Sequence, residues 1–164
     1  MEATVTRGKA LAPGEGDLRW FIQNLITVKL TGEDTEGRFS LVEAIGARGD
    51  MPPLHVHHED DETFIVLEGE LSFHVGDAVH HGCAGSVLLA PRGVPHVYRV
   101  ESEQARWLVL SSPAAFAEFV LEASEPAAAA TLPTVPPSIG PAELTEIAGR
   151  YGVEILGPPG ALPQ

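Results

Sequence analysis

The stretch Gly49 to Gly69 reads G-D-M-P-P-L-H-V-H-H-E-D-D-E-T-F-I-V-L-E-G and sets His55, His57 and Glu62 within eight residues of one another. In a β-strand successive side chains alternate faces, so His55 and His57 project from one side roughly 6 to 7 Å apart, and their imidazoles can converge on one ion. The connector His58-Glu59-Asp60-Asp61 is polar and suits a tight reversal, after which Glu62 opens the next strand with Phe64 and Val66 on its face. A carboxylate and two imidazoles then share one apolar pocket. A fourth candidate lies in Gly85 to Val100, G-S-V-L-L-A-P-R-G-V-P-H-V-Y-R-V, where Pro91 and Gly93 end one apolar run and His96 opens another. His96, Tyr98 and Val100 share the inward face of that strand.

These two stretches resemble the paired motifs of the cupin family. Gly49, five residues, His55, one, His57, four, Glu62, six, Gly69 matches the first motif, and Gly85, five residues, Pro91, one, Gly93, two, His96 matches the second. The two are separated by 15 residues, and their order and spacing together are far more specific than either alone. Val100 stands where the second motif usually carries an asparagine that is not a metal ligand. The resemblance implies a double-sheet jelly roll, a divalent metal, and His55, His57, Glu62 and His96 as its ligands. Within the family the chain is similar to short cupins related to quercetin 2,3-dioxygenase, in Asp60-Asp61-Glu62-Thr63-Phe64, in Ser112 to Phe116 and in Tyr151 to Glu154. That similarity implies a flavonol-like hydroxy-carbonyl substrate, proton transfer to Glu62 and attack of dioxygen on the activated ring.

Composition sets limits on partners. At 164 residues, 44% hydrophobic and 20% charged, the chain suits one folded domain with a sizeable core. A net charge of -13 repels phosphate backbones and anionic membrane surfaces, so neither nucleic acid nor membrane is an expected partner. The lone Cys83 excludes a disulfide framework and multi-cysteine zinc sites, and has no basic neighbour in sequence, so it reads as packing. Residues 1–19 lack the apolar core of a signal peptide and no 18-residue apolar run occurs, which points to a cytoplasmic protein.

Taken in order, Ala12 to Asp17 is loop-like and Trp20 to Leu30 reads as one strand rich in β-branched and aromatic residues. Thr31 to Gly37 is a polar reversal. Arg38 to Ile45 is a strand apolar on both faces, whose inward side the sequence does not assign. Strands follow at Leu54 to His58, Thr63 to Leu67, Leu71 to Val75, Val87 to Ala90, His96 to Val100 and Arg106 to Ser111, with Gly76-Asp77 marking a hairpin and Ala78 to Gly82 a turn. At least seven short strands predict an all-β antiparallel sandwich or barrel, the architecture that the family resemblance implies as a double-stranded β-helix. Residues 113–122 and Pro141 to Tyr151 have helical spacing, and Glu125 to Gly140 is a Pro/Ala-rich connector. This divides the chain into residues 1–122, the barrel with its N-terminal strand and first helix, and 123–164, a connector and helix packing on the same domain.

His58, His74, His80 and His81 read as solvated, as does the run Glu59-Asp60-Asp61. Phe39, Leu41, Phe64, Val66 and Phe73 read as core residues that also serve as pocket wall, and Tyr98 either bonds a ligand or fills the barrel. Three imidazoles and one carboxylate suit iron, nickel, cobalt, copper, zinc or manganese, without choosing among them. A dication beside one carboxylate in an apolar cup favours an anionic, chelating small molecule. Three functions fit that arrangement: a dioxygenase with Glu62 as base, an isomerase or lyase on enolisable carbonyls, and a small-molecule binding module. Exposed sheet edges and the apolar Trp20 to Leu30 strand predict a homodimer.

Overall fold

A computed structural model of the chain describes residues 8–136 and 138–164. Residues 1–7, the start of the stretch read for a leader, and Pro137 in the connector lie outside the described residues. Among the described residues twelve strands and three helices follow in order. They are β1 (Asp17–Phe21), β2 (Asn24–Leu30), α1 (Gly32–Thr35), β3 (Ser40–Ala47), β4 (Pro53–His57), β5 (Asp61–Glu68), β6 (Glu70–Val75), β7 (Ala78–Cys83), β8 (Val87–Ala90), β9 (His96–Val100), β10 (Gln104–Ser112), α2 (Phe116–Glu122), β11 (Glu125–Pro126), α3 (Pro141–Arg150) and β12 (Val153–Pro159).

The strands form a seven-stranded sheet, β11-β1-β2-β3-β10-β5-β8, and a five-stranded sheet, β12-β4-β9-β6-β7. This is the expected all-β jelly roll. Its core lies between the sheets, where Val42, Val66, Leu71, Val100 and Trp107 are almost wholly buried. Alternation sets each face: in β3 Ser40, Val42, Ala44 and Gly46 turn inward, which assigns the side the sequence left open. The motif glycine Gly69 closes the β5–β6 turn at φ 79°, and a Cβ there would stand 2.4 Å from the Gln104 carbonyl oxygen, so no other residue fits.

Three elements depart from expectation. The run Trp20 to Leu30 is a hairpin, not one strand: Phe21 pairs with Asn24 and the two-residue turn places Ile22 at φ 56°. A β-branched residue in that left-handed region costs about 1–3 kcal/mol and carries no turn signature, so the reversal is invisible in the sequence. Ala78 to Gly82 is the edge strand β7 rather than a turn, with Val75 paired to Ala78 across Gly76-Asp77. Its histidines mask the alternation because both His80 and His81 are exposed at a sheet edge. Finally, β12 adds to β4 through a register that shifts around Gly157, a strand hidden by its prolines, which an edge position tolerates. Cys83 is exposed at the end of β7 and is not packing.

Candidate metal centre

Strand alternation puts His55 and His57 on one face of β4, and the register pair His55 with His96 brings β9 alongside. The third direction comes from the other sheet, where Glu62 enters from β5 opposite Ser111 of β10. One ligand atom from each of His55, His57, Glu62 and His96 lies within 4.8 Å of all the others. Donors held about 2.0–2.2 Å from a common centre stand up to about 4.4 Å apart across it, so the cluster comes within a few tenths of an ångström of the dimensions of a first-row metal site.

The ring nitrogens show what the cluster is built to accept. His55 Nδ1–H donates to the Pro53 carbonyl at 2.8 Å and His96 Nδ1–H to the Val94 carbonyl at 3.0 Å. His57 Nδ1–H donates to the Asp60 carboxylate at 3.0 Å. Carbonyl and carboxylate oxygens accept only, so these partners assign the proton to Nδ1 and leave Nε2 of each neutral ring as a lone pair. Nε2 of His96 and of His57 lie 3.0 and 3.3 Å from Glu62 Oε2. Lone pairs at that distance repel unless a proton or a metal cation lies between them. His57 Nε2 is also buried without a hydrogen-bond partner, which fits a metal-binding role.

Charge follows the same logic. Burial opposes a charge on His57, but the Glu62 carboxylate and then Asp60 outweigh it and raise its pKa. Burial would raise Glu62 as well. The three histidines, His57 foremost, prevail over burial and hold Glu62 at about 2. For His55, burial and then the nearby His96 and His57 lower the pKa to about 3. The site thus keeps Glu62 ionised and His55 neutral near neutral pH.

Asp60 was missed in the sequence because it sits in an acidic run that reads as solvated. It is only 1% exposed and accepts both from His57 and from Ser111 Oγ at 2.6 Å. Its neighbour Asp61 behaves as expected of a surface group, pairing with Arg92. The weak signal was the spacing His57-x-x-Asp60, which lets a reversing chain fold its carboxylate back onto Nδ1.

The cluster opens into a cavity of about 60 Å³. Of the residues read as pocket wall, Phe64 and Tyr98 line it, whereas Phe39, Leu41, Val66 and Phe73 do not. Leu41 has the outward parity of β3, where it pairs with Leu110, and Phe39 precedes that strand on the same parity. Phe73 lies behind Phe64, ring centroids 5.2 Å apart, and with Val66 it packs against Gly82 beyond the cavity. Elements outside the two motifs supply the remaining wall: Ile22 and Asn24 from the N-terminal hairpin, Phe116 and Phe119 from α2, and Val153 and Ile155 from β12. The Tyr98 hydroxyl donates to Asn24 Oδ1 at 3.0 Å and approaches Asp50 Oδ2 at 3.3 Å, so its ring faces the cavity while its polar end is committed to the protein.

Comparison with known proteins agrees with this geometry. A family model for the cupin domain matches residues 42–111, which contain all four ligand candidates. The chain carries a cupin domain. This cupin-domain chain is 34% identical over 96 residues to quercetin 2,3-dioxygenase of Bacillus subtilis strain 168, a match covering 58% of this chain and 28% of that protein. The chain therefore spans well under a third of that relative. Among solved structures, KdgF from Halomonas sp. superposes with a TM-score of 0.59 at 17% identity, covering 65% of this chain and 94% of that one. The polyketide cyclase RemF of Streptomyces resistomycificus gives 0.56 at 18%, covering 85% and 92%. At such identities these two likenesses concern the fold alone. No helix among the described residues is long and apolar enough to cross a membrane.

Proposed function

We propose that this cupin is a metal-dependent dioxygenase acting on a small enolisable hydroxy-carbonyl compound. The observation that carries the reading is the four-donor cluster at one end of an apolar cavity, with Glu62 as the carboxylate among three imidazoles. Similarity over 96 residues to a quercetin 2,3-dioxygenase supports oxygenation over isomerisation. A cavity of about 60 Å³ is small beside the several hundred Å³ that commonly hold drug-sized ligands, which favours compact members of the substrate class.

A divalent iron, nickel, manganese, cobalt, copper or zinc ion held by His55, His57, Glu62 and His96 would supply Lewis acidity toward a chelating pair of oxygens. The protein's own residues do the rest. Glu62, kept ionised, takes the substrate hydroxyl proton on a carboxylate oxygen. The backbone carbonyls of Pro53 and Val94 and the Asp60 carboxylate hold the three rings in orientation. Phe64 and Phe116 exclude water from the reacting end.

The test is oxygen uptake by protein loaded with each redox metal in turn, over hydroxypyranones, flavonols and β-diketones. Glu62→Gln is expected to lose most turnover while retaining more metal than His57→Ala. Uptake absent with all substrates and metals would remove the dioxygenase reading, and isomerisation without oxygen uptake would replace it.

We also propose a homodimer, on different grounds from the Trp20 to Leu30 run, whose strands β1 and β2 both lie inside the larger sheet, between β11 and β3. The outer face of that sheet carries rows of apolar residues. Leu41, Leu110 and Leu89 align across β3, β10, β5 and β8 with Thr63 between, and Leu108, Ile65 and Val87 form the next row. Val87 and Leu89 are 66% and 56% exposed on the edge strand, where a second copy of the same face would cover them.

A further inference from the structure

Among the described residues two non-glycine positions take positive φ, Ile22 and Glu36, both at 56°. Glu36 caps the C-terminus of α1 ahead of Gly37, where a left-handed residue is commonplace. Ile22 has no such reason. It is the first of the two residues that turn β1 into β2, a place that glycine fills freely and a β-branched residue fills only under strain. Strain of this kind persists where the surroundings over-determine it, and it gathers at functional sites.

Both ends of the turn are anchored in the cavity wall. Phe21 packs edge-on against Phe119 and Phe116 of α2, with ring centroids 5.4 and 6.3 Å away. Asn24 is 4% exposed and donates to Asp50 Oδ2 at 2.5 Å and to the Ile45 carbonyl at 3.3 Å. Ile22, held between them, borders the cavity, packs on the apolar core and keeps partial exposure, which sets it at the rim. His55 shows which side is open. It is partly exposed, whereas His57, Glu62 and His96 are at most 2% exposed, so solvent reaches the cluster past His55. Ile155, in register with His55 on β12, also borders the cavity and is also partly exposed.

We propose that Ile22 is a specificity-determining residue that, with Ile155, forms the gate of the metal cavity and restricts it to compact ligands. The gate rests on the chelating reading of the site and names what sets its size limit. A cavity of about 60 Å³ holds about four to six water-sized groups, enough for a chelating pair and a methyl group but not for an aromatic ring behind that pair. Most of the wall is buried strand and helix, whereas Ile22 stands on a turn whose other residue, Gln23, is exposed. Truncating Ile22 therefore widens the mouth and leaves the ligand strands in place.

The experiment uses the full-length protein loaded with cobalt(II), whose visible bands report coordination, and two probes with the same chelating head. Acetohydroxamate carries a methyl group behind that head and benzohydroxamate a phenyl ring. The parent is expected to bind benzohydroxamate at least about tenfold more weakly than acetohydroxamate. Ile22→Gly, which takes positive φ freely, should tighten benzohydroxamate about tenfold and change acetohydroxamate less than about twofold. Ile155→Ala widens the same mouth from β12 and should act in the same direction, while Ile22→Leu keeps the bulk and should leave both affinities within about twofold of the parent. Benzohydroxamate binding unchanged in Ile22→Gly and Ile155→Ala, or gained equally by Ile22→Leu, would overturn the gate and leave the chelating reading standing. Equal binding of both probes by the parent would do the same, since no size limit then exists. If neither probe moves the cobalt bands in parent or variants, the chelating reading fails and the gate falls with it.

Discussion

Removing the Asp60 carboxylate tests how the candidate metal centre is held by the fold that carries it. Asp60 is almost wholly buried and accepts two hydrogen bonds, from His57 Nδ1 at 3.0 Å and from Ser111 Oγ at 2.6 Å. In Asp60→Ala the His57 Nδ1–H stays buried without that partner, at about 1–3 kcal/mol, while the Ser111 hydroxyl keeps the Pro113 carbonyl at 3.1 Å as an acceptor, so unfolding should become easier by roughly 1–3 kcal/mol. For a chain of this size each kcal/mol shifts the unfolding midpoint by about 2–4 °C, so the drop should reach roughly 2–12 °C. The same change frees the His57 ring to turn and to move its proton to Nε2, which should weaken metal binding about 10–100-fold. Asp60→Asn keeps an acceptor for His57 and offers an NH2 to the Ser111 oxygen, so it should be much milder in both respects. The assays are thermal unfolding of the metal-free variants and competition for zinc against a chromophoric chelator. Metal affinity unchanged in Asp60→Ala, with stability lost, would refute the orienting role and leave Asp60 as a structural residue only.

Other outcomes follow from the same geometry. Stripping the metal with a chelator should lower the unfolding midpoint reversibly, since ligand at about 100 times its dissociation constant adds about 2.7 kcal/mol, and the shift should vanish in His57→Ala. Asp50 is buried, and burial raises its pKa over the opposing hydrogen bonds from Asn24, Tyr98 and the Met51 N–H. The folded state then holds that proton more tightly than the unfolded chain. Its contribution to stability is present at low pH and is lost as pH rises from the ordinary carboxylate value through the raised one. Urea unfolding across that window should show Asp50→Asn gaining on the parent as pH rises, with a flat difference above it. Gly46→Ala should destabilise by about 1–3 kcal/mol, because the new Cβ meets Asp50 Oδ2 at 2.7 Å and Asn24 Nδ2 at 2.8 Å; unchanged urea unfolding would show that this network yields freely. The double variant Val87→Lys, Leu89→Lys should run as a monomer in light scattering if the parent is a dimer, and a monomeric parent would refute the proposed interface.

The sequence by itself determined the fold class and the four ligand candidates, because both rest on local rules. Alternation along a strand puts His55 and His57 on one face whatever surrounds them, and glycines at Gly49, Gly69, Gly85 and Gly93 all take positive φ, which punctuates the barrel at fixed places. Only the tertiary structure decided the cavity wall. Asp60 reads as solvent-facing from its neighbours, and becomes part of the candidate metal centre because the β4–β5 reversal carries it under His57 and against Ser111, 51 residues later. The inward face of β3 depends on which sheet covers it, so Leu41 and Val42 are equivalent in sequence and opposite in the barrel. Ile22, Phe116 and Ile155 come from three distant segments to line one cavity. Their convergence is set by long-range packing against the barrel, which no local periodicity records.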